Sequence, residues 1–180
     1  MRRELTKKLC WLGLVLTLAT LGALIAIDHH LRNAVSPQGI VSFELCAYTG
    51  SCRAIVEAWG PVGQVWAALS LGLDYLFMFL YAVTIFLGLW LVVVHVPERL
   101  KTITLGAALA VWVAGAADAA ENYCLTRMLV NPAADGYAWP ASIFATIKFV
   151  LLGVTLGWWL IMTLRFSRGS ARAELGGKSR

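Results

Sequence analysis

The chain has 180 residues, of which 59% are hydrophobic and 14% are charged, and its formal net charge is +5. A water-soluble domain of this size could not bury so much apolar surface, so the composition excludes an ordinary soluble globular protein. The positive charge does not indicate nucleic-acid binding, because most basic residues flank apolar segments rather than forming a patch.

Four apolar segments are each long enough to cross a bilayer as a helix, which takes about 20 residues. We predict these spans over residues 9–27, 62–96, 103–125 and 140–164. The fold class is therefore an all-α membrane protein, with four transmembrane helices in a compact bundle that forms one domain, residues 1–166. The partner of this domain is the lipid bilayer. Residues 167–180 are polar and are predicted to be a disordered cytoplasmic tail.

The basic residues predict the orientation of these spans. The N-terminus, the second connection and the C-terminus carry most of them: Arg2, Arg3, Lys7, Lys8, Arg99, Lys101, Arg165, Arg168, Arg172, Lys178 and Arg180. The first and third connections carry only Arg32, Arg53 and Arg127. The positive-inside rule then places both termini in the cytoplasm. The first span is too long for the apolar region of a signal peptide, so we expect it to be an uncleaved helix.

The first connection is predicted to form an outward helical lid over about residues 36–60. Ser36-Pro37 is a favourable helix start, and Ser51 is a second candidate cap. Apolar residues at helical spacing follow each of them: Ile40, Val41, Phe43, Ile55, Val56 and Trp59. Gly60-Pro61 ends the second element. We predict two short amphipathic helices, which either cover a binding site or only close the ends of the spans.

Cys46 and Cys52 lie in the lid, where an oxidising environment would allow a disulfide between them. A membrane oxidoreductase that exchanges disulfides would have this general shape, but its CxxC pair is missing. Asp28-His29-His30, with Glu44 or Glu57, offers zinc-type ligands. Since adjacent histidines are poorly placed to share one ion, a polar cap at the membrane interface is favoured. We predict no metal site.

Ionisable residues inside the spans are the strongest functional signal, because a charge at bilayer depth is costly and is usually paired. Asp118 lies nine residues before Arg127, and Lys148 lies eight residues after Pro140. Antiparallel neighbours joined by a short connection would place the two at one depth. The candidate ligand-binding residues are Asp74, Tyr75, Tyr81, Asp118, Glu121, Asn122 and Lys148. Small residues such as Ala114 also predict that the third span is central.

This candidate cluster contains three acids, Asp74, Asp118 and Glu121, and one base, Lys148. If all were ionised, the surplus negative charge would be hard to sustain away from water. At least one acid should therefore be protonated, hydrated, or paired with a group outside this chain. The alternative is that Asp118 and Lys148 form a purely structural pair between helices.

Four segments together resemble a known family: GIVSFEL at residues 39–45, LGLDYLFMFLY at 71–81, DAAEN at 118–122 and KF at 148–149. The family is an uncharacterised one of small four-helix integral membrane proteins of bacteria. The resemblance implies a bacterial inner-membrane location, and it implies no activity or cofactor.

No nucleophile elbow, P-loop, dinucleotide fingerprint or HExxH motif occurs, so the sequence leaves open whether the chain is an enzyme. The first hypothesis is a protein that binds an amphipathic small molecule or lipid. Its head group would meet the charged cluster, and its tail would lie among Trp66, Phe77 and Phe144. The alternatives are a structural or regulatory subunit of a membrane complex, a proton- or cation-coupled transporter that works as an oligomer, and a thiol redox protein.

Overall fold

The computed structural model describes residues 2–131 and 133–177, with side chains for residues 3–131 and 133–165. The regular structure of these residues is entirely helical. The α-helices are α1 (Arg2–Asp28), α2 (Ile40–Glu44), α3 (Cys46–Thr49), α4 (Cys52–Val93), α5 (Glu98–Val130) and α6 (Ala138–Gly177). Short 3₁₀ turns lie at His29–Leu31 and Asp135–Tyr137.

Four of the helices in the described part of the chain, α1, α4, α5 and α6, are long and apolar enough to cross a membrane. Each contains one predicted span or most of it. Gly60, with φ 62° and ψ −176°, interrupts α4 just before Pro61, so the lid portion of α4 ends where the sequence predicts. The helix α6 continues to Gly177, through most of the predicted tail. Residues 178–180 lie outside the described residues.

The central helix is α4, not the third span as predicted from its small residues. In the most apolar 18-residue stretch of each long helix, 50% of α4 is buried inside the protein, compared with 33% of α5 and 17% of α1 and α6. It packs against α1, α5, α6 and the lid helices. Small residues allow neighbouring helices to lie close to α4. A Cβ at Gly13 of α1 would contact Thr84 of α4, and a Cβ at Gly88 of α4 would collide with the Trp159 ring of α6. Close approach therefore occurs on both sides of α4.

The lid, residues 36–60, begins differently from the prediction. Ser36 is not a helix cap, because it lies in a turn and its Oγ donates to the Leu31 carbonyl at 2.6 Å. The start of α2 is held instead by Asp28, whose Oδ1 accepts a 2.7 Å hydrogen bond from the Ile40 amide. Gly39 precedes α2 with φ 58°, and a Cβ there would meet the Asp28 carboxylate. The last residue of α1 thus fixes the beginning of the lid.

Two apolar cores lie at different heights along the long helices. The lid-end core joins the lid to α4, α5 and α6 through Leu31, Phe43, Cys46, Ile55, Val56, Trp59, Ala67, Leu71, Cys124, Leu125, Met128, Leu129 and Ala141. The mid-helix core contains Met78, Tyr81, Ala82, Ile85, Leu89, Ala108 and Val111. A disulfide joins Cys46 to Cys52 within the lid. Burial of a side chain such as Phe43 in the lid-end core stabilises the lid by about 1.5–3 kcal/mol.

Candidate functional site

The charged side chains occupy one layer between the two apolar cores. On α4, Asp74 lies between Leu71 of the lid-end core and Met78 of the mid-helix core. On α5, residues 118–122 occupy the same interval, and on α6 Lys148 does. The helical repeat brings Asp118, Glu121 and Asn122 to one face of α5. The helices α4, α5 and α6 therefore contribute polar groups at the same depth.

Lys148 is the shared cation of this layer. Its Nζ donates a 3.1 Å hydrogen bond to Asp118 Oδ1, and it lies 2.8 Å from Glu121 Oε2. Glu44 Oε2, from the lid, is 3.5 Å away. Lys148 is only 5% exposed. The depth count from the sequence thus predicts the Asp118–Lys148 contact correctly.

Two further hydrogen bonds complete the cluster. Tyr81 donates its hydroxyl to Asp118 Oδ2 at 2.9 Å. Asn122 Nδ2 donates to Asp74 Oδ2 at 2.7 Å, and this carboxylate acceptor decides the orientation of the amide. The opposite amide atom, Asn122 Oδ1, is buried and has no partner among the described residues. We call Glu44, Asp74, Tyr81, Asp118, Glu121, Asn122 and Lys148 the polar cluster.

Glu44 is the member of the polar cluster that the sequence reasoning missed. The sequence suggests Glu44 only as a metal ligand beside the histidines, yet its side chain lies 7% exposed against Lys148. Burial raises the pKa of the Glu44 carboxyl above its usual range, and the nearby Lys148 ammonium only partly opposes this. The polar cluster therefore contains four carboxyl groups and one ammonium, and three of the carboxyl groups contact it. The signal that could have found it is a single acid in the apolar segment IVSFEL, residues 40–45.

A cavity of about 600 Å³ lies beside the polar cluster. Its polar wall consists of Glu44, Asp74, Tyr81, Asp118, Asn122 and Lys148. Lid residues from Pro37 to Val41 cover it, and Asp28 and Arg32 stand at its edge, joined by a 2.8 Å ion pair. This volume is typical of sites that bind small molecules.

The remaining walls of the cavity are apolar and belong to α1, α4 and α6. Leu21, Leu24 and Ile25 contribute from α1, and Phe149 and Leu152 from α6. The main packing partner of α1 is α4, so a gap is left between α1 and α6. Ile25 is 58% exposed on one side of this gap and Phe149 is 42% exposed on the other. The cavity therefore runs from a charged interior to an apolar surface.

Several predicted residues are not brought to the cavity. Tyr75 is 45% exposed, and its hydroxyl donates a 3.4 Å hydrogen bond to the Ala119 carbonyl. Of the residues expected around a ligand tail, Phe77 lines the cavity, whereas Trp66 stacks on His30 with ring centroids 4.3 Å apart. Phe144 is absent from the described lining. Glu121 lies in the cluster behind Lys148 and not on the cavity wall.

The Asp28-His29-His30 segment has a structural part in the fold. The Asp28 carboxylate accepts hydrogen bonds from Arg32 and from the Ile40 amide. Glu57 forms an ion pair with Arg53 at 2.9 Å. Within residues 2–131 and 133–177, no three His, Cys, Asp or Glu side chains are grouped to hold a metal ion.

No protein-family model matches the chain, and neither curated proteins nor solved structures give a significant match. The resemblance described above therefore depends on its four sequence segments alone.

Proposed function

We propose that this protein is an integral membrane protein that binds an amphipathic small molecule or lipid in the cavity beneath its lid. The head group would contact the polar cluster, and the hydrocarbon tail would lie in the gap between α1 and α6. The observation that carries the proposal is the composition of one cavity, which has charged side chains at its inner end and apolar side chains along the gap between α1 and α6. A ligand with the same two ends complements it.

The unsatisfied groups of the polar cluster support a bound ligand. Asn122 Oδ1 is buried without a hydrogen-bond partner in the described structure, and Asn122 lines the cavity. A buried polar atom without a partner costs about 1–3 kcal/mol. The site also holds four carboxyl groups, those of Glu44, Asp74, Asp118 and Glu121, and a single ammonium. A ligand that donates hydrogen bonds would complement this set of acceptors.

The proposed setting is a bacterial inner membrane with the lid outside and both termini in the cytoplasm. The basic residues at the start of α1, at the start of α5 and in the C-terminal part of α6 favour this orientation. The gap between α1 and α6 would then open toward the hydrocarbon of the outer leaflet. A lipid or other amphipath could enter sideways, without its tail crossing water.

A subunit role, with the surplus acids paired to another protein, is the second candidate. It is less favoured because Asp118, Glu121 and Lys148 are each at most 5% exposed, so another chain could not reach them without opening the fold. A stoichiometric partner that is recovered after gentle solubilisation, and lost in Asp74→Asn, would support this role.

Native mass spectrometry of gently purified protein tests ligand binding. The wild type is expected to retain a discrete amphipath, and Ile25→Trp, which narrows the gap, is expected to retain much less. Val15→Trp is a matched control, because Val15 is on the same helix, is 59% exposed and lies away from the cavity lining. Absence of any retained mass on the wild type, or equal retention by Ile25→Trp, would contradict the proposal.

A further inference from the structure

Asp74 and Asn122 both line the cavity, and each has a hydrogen-bond acceptor without a donor among the described residues. Asp74 is half-buried on the cavity wall, and the hydrogen bond described for it uses Oδ2, with Asn122 as donor. Its other oxygen, Oδ1, receives no hydrogen bond from the described residues. Asn122 is 0% exposed, lines the same cavity, and leaves its own Oδ1 without a partner. The site therefore offers hydrogen-bond acceptors that lack a donor.

The strong donors nearby are already engaged. The Lys148 ammonium contacts carboxylates of Glu44, Asp118 and Glu121, and the Tyr81 hydroxyl donates to Asp118. Asp74 receives no cation from these contacts. The missing donor should therefore carry positive charge, because hydrogen bonds from a cation to a carboxylate are roughly twice as strong as neutral ones.

We infer that the ligand is an amphipathic primary amine, whose ammonium N–H groups donate to Asp74 while its hydrocarbon tail follows the apolar walls. This inference rests on the proposed function and names the class of molecule bound. A quaternary ammonium is excluded by this geometry, since it has charge but no N–H donor. An anionic head group such as that of phosphatidylglycerol has no charged N–H donor for Asp74.

The same ammonium chemistry occurs in two sources, a single-chain amine and an ethanolamine phospholipid. Arg32 bears on the second, because its guanidinium lies at the edge of the cavity and only its Nε is used by Asp28. The phosphate of an ethanolamine phospholipid at that edge would contact the remaining guanidinium N–H groups. A single-chain amine makes no use of Arg32.

The test is a binding series on the purified full-length chain, measured by native mass spectrometry titration. The probes are dioleoyl phosphatidylethanolamine, its phosphatidylcholine and phosphatidylglycerol counterparts, oleylamine and oleyltrimethylammonium. We expect each primary amine to bind about tenfold or more tightly than its trimethylated partner, because at least one charged hydrogen bond is lost on methylation. Arg32→Gln then separates the sources, since it should weaken the phospholipid and not oleylamine.

Asp74→Asn is expected to remove most of the preference for N–H over N-methyl, whereas Glu57→Gln, an exposed lid acid, should leave it unchanged. The selectivity of the wild type is itself a test that needs no variant. If phosphatidylglycerol or a trimethylated probe binds as tightly as the amines, the amine assignment is overturned while amphipath binding stands. If no probe binds, the amine assignment and the proposed function both fail.

Discussion

Lys148 joins carboxylates from the lid and α5 at a position that is almost inaccessible to water. Replacing it with Met keeps the length of the side chain and removes the charge, so three acids lose their shared cation. Lys148→Met is expected to lower the free energy of unfolding by about 3–5 kcal/mol. Thermal unfolding in mild detergent measures this. Lys101→Met, which breaks an exposed pair with Glu98, should change it by about 1 kcal/mol or less. Equal losses in both variants would contradict the argument.

The carboxyl of Glu44 should make stability depend on pH. Because burial raises its pKa in the folded protein, the contribution is fully present below the unfolded value of about 4.3 and is lost as pH rises through the folded pKa. The charged groups that face it are Lys148 from α6 and Asp118 and Glu121 from α5. Glu44→Gln should therefore have a melting temperature that falls less than that of the wild type between pH 5 and pH 8.

Scanning fluorimetry across that pH range makes the comparison, and Glu57→Gln is the matched control because Glu57 is exposed. Identical pH profiles for wild type and Glu44→Gln would show that this carboxyl does not titrate differently on folding.

Depth along antiparallel helices is a simple count, and for that reason the contact between Asp118 and Lys148 could be predicted from the sequence. Tyr81 is seven residues from Asp74 and shares its face, whereas the adjacent Tyr75 points elsewhere. Glu44 could not be placed by counting, because it lies in a connection whose path depends on tertiary contacts.

At the scale of elements, the start of the lid depends on a glycine. Gly39 has a positive φ, and a Cβ there would displace the Asp28 carboxylate that accepts from the Ile40 amide. Gly50 also has a positive φ, but a Cβ there would meet open space. Both Gly→Ala variants share the backbone penalty of about 1 kcal/mol. Gly39→Ala should therefore be the more destabilised in thermal unfolding, and the reverse order would contradict the anchoring role of Asp28.

The disulfide of the lid gives a second prediction for this element. Closing so short a loop stabilises a fold by roughly 2 kcal/mol. The double variant Cys46→Ser, Cys52→Ser is expected to melt at a lower temperature, as is reduced wild type, while still retaining the ligand in native mass spectrometry. A thiol redox activity that the wild type shows and the double variant lacks, at unchanged thermal stability, would instead favour the thiol redox alternative.

The whole molecule agrees with the sequence in its four long helices, because about 20 consecutive apolar residues leave few other structures. The sequence did not identify α4 as the central helix. Small residues occur in all of the spans, and only their three-dimensional contacts decide which of them face another helix.

The orientation of the helices in the membrane is tested by adding one cysteine at a time to this chain. Asn131→Cys lies at the lid end and Glu98→Cys at the other end, and both positions are exposed. A membrane-impermeant maleimide should label Asn131→Cys in intact cells and Glu98→Cys only after permeabilisation. The wild type is the control, because its free cysteines, Cys10 and Cys124, are buried. The opposite pattern would reverse the proposed topology.

Asp28 ends α1 and also accepts the hydrogen bond that begins α2. Because α1 packs chiefly against α4, its tilt is less constrained than that of the other long helices. A bilayer of different thickness changes helix tilt at a modest energetic cost. We therefore expect such a change to reach the roof of the cavity directly through Asp28, so that the mechanical state of the membrane, as well as ligand concentration, sets how readily the cavity fills.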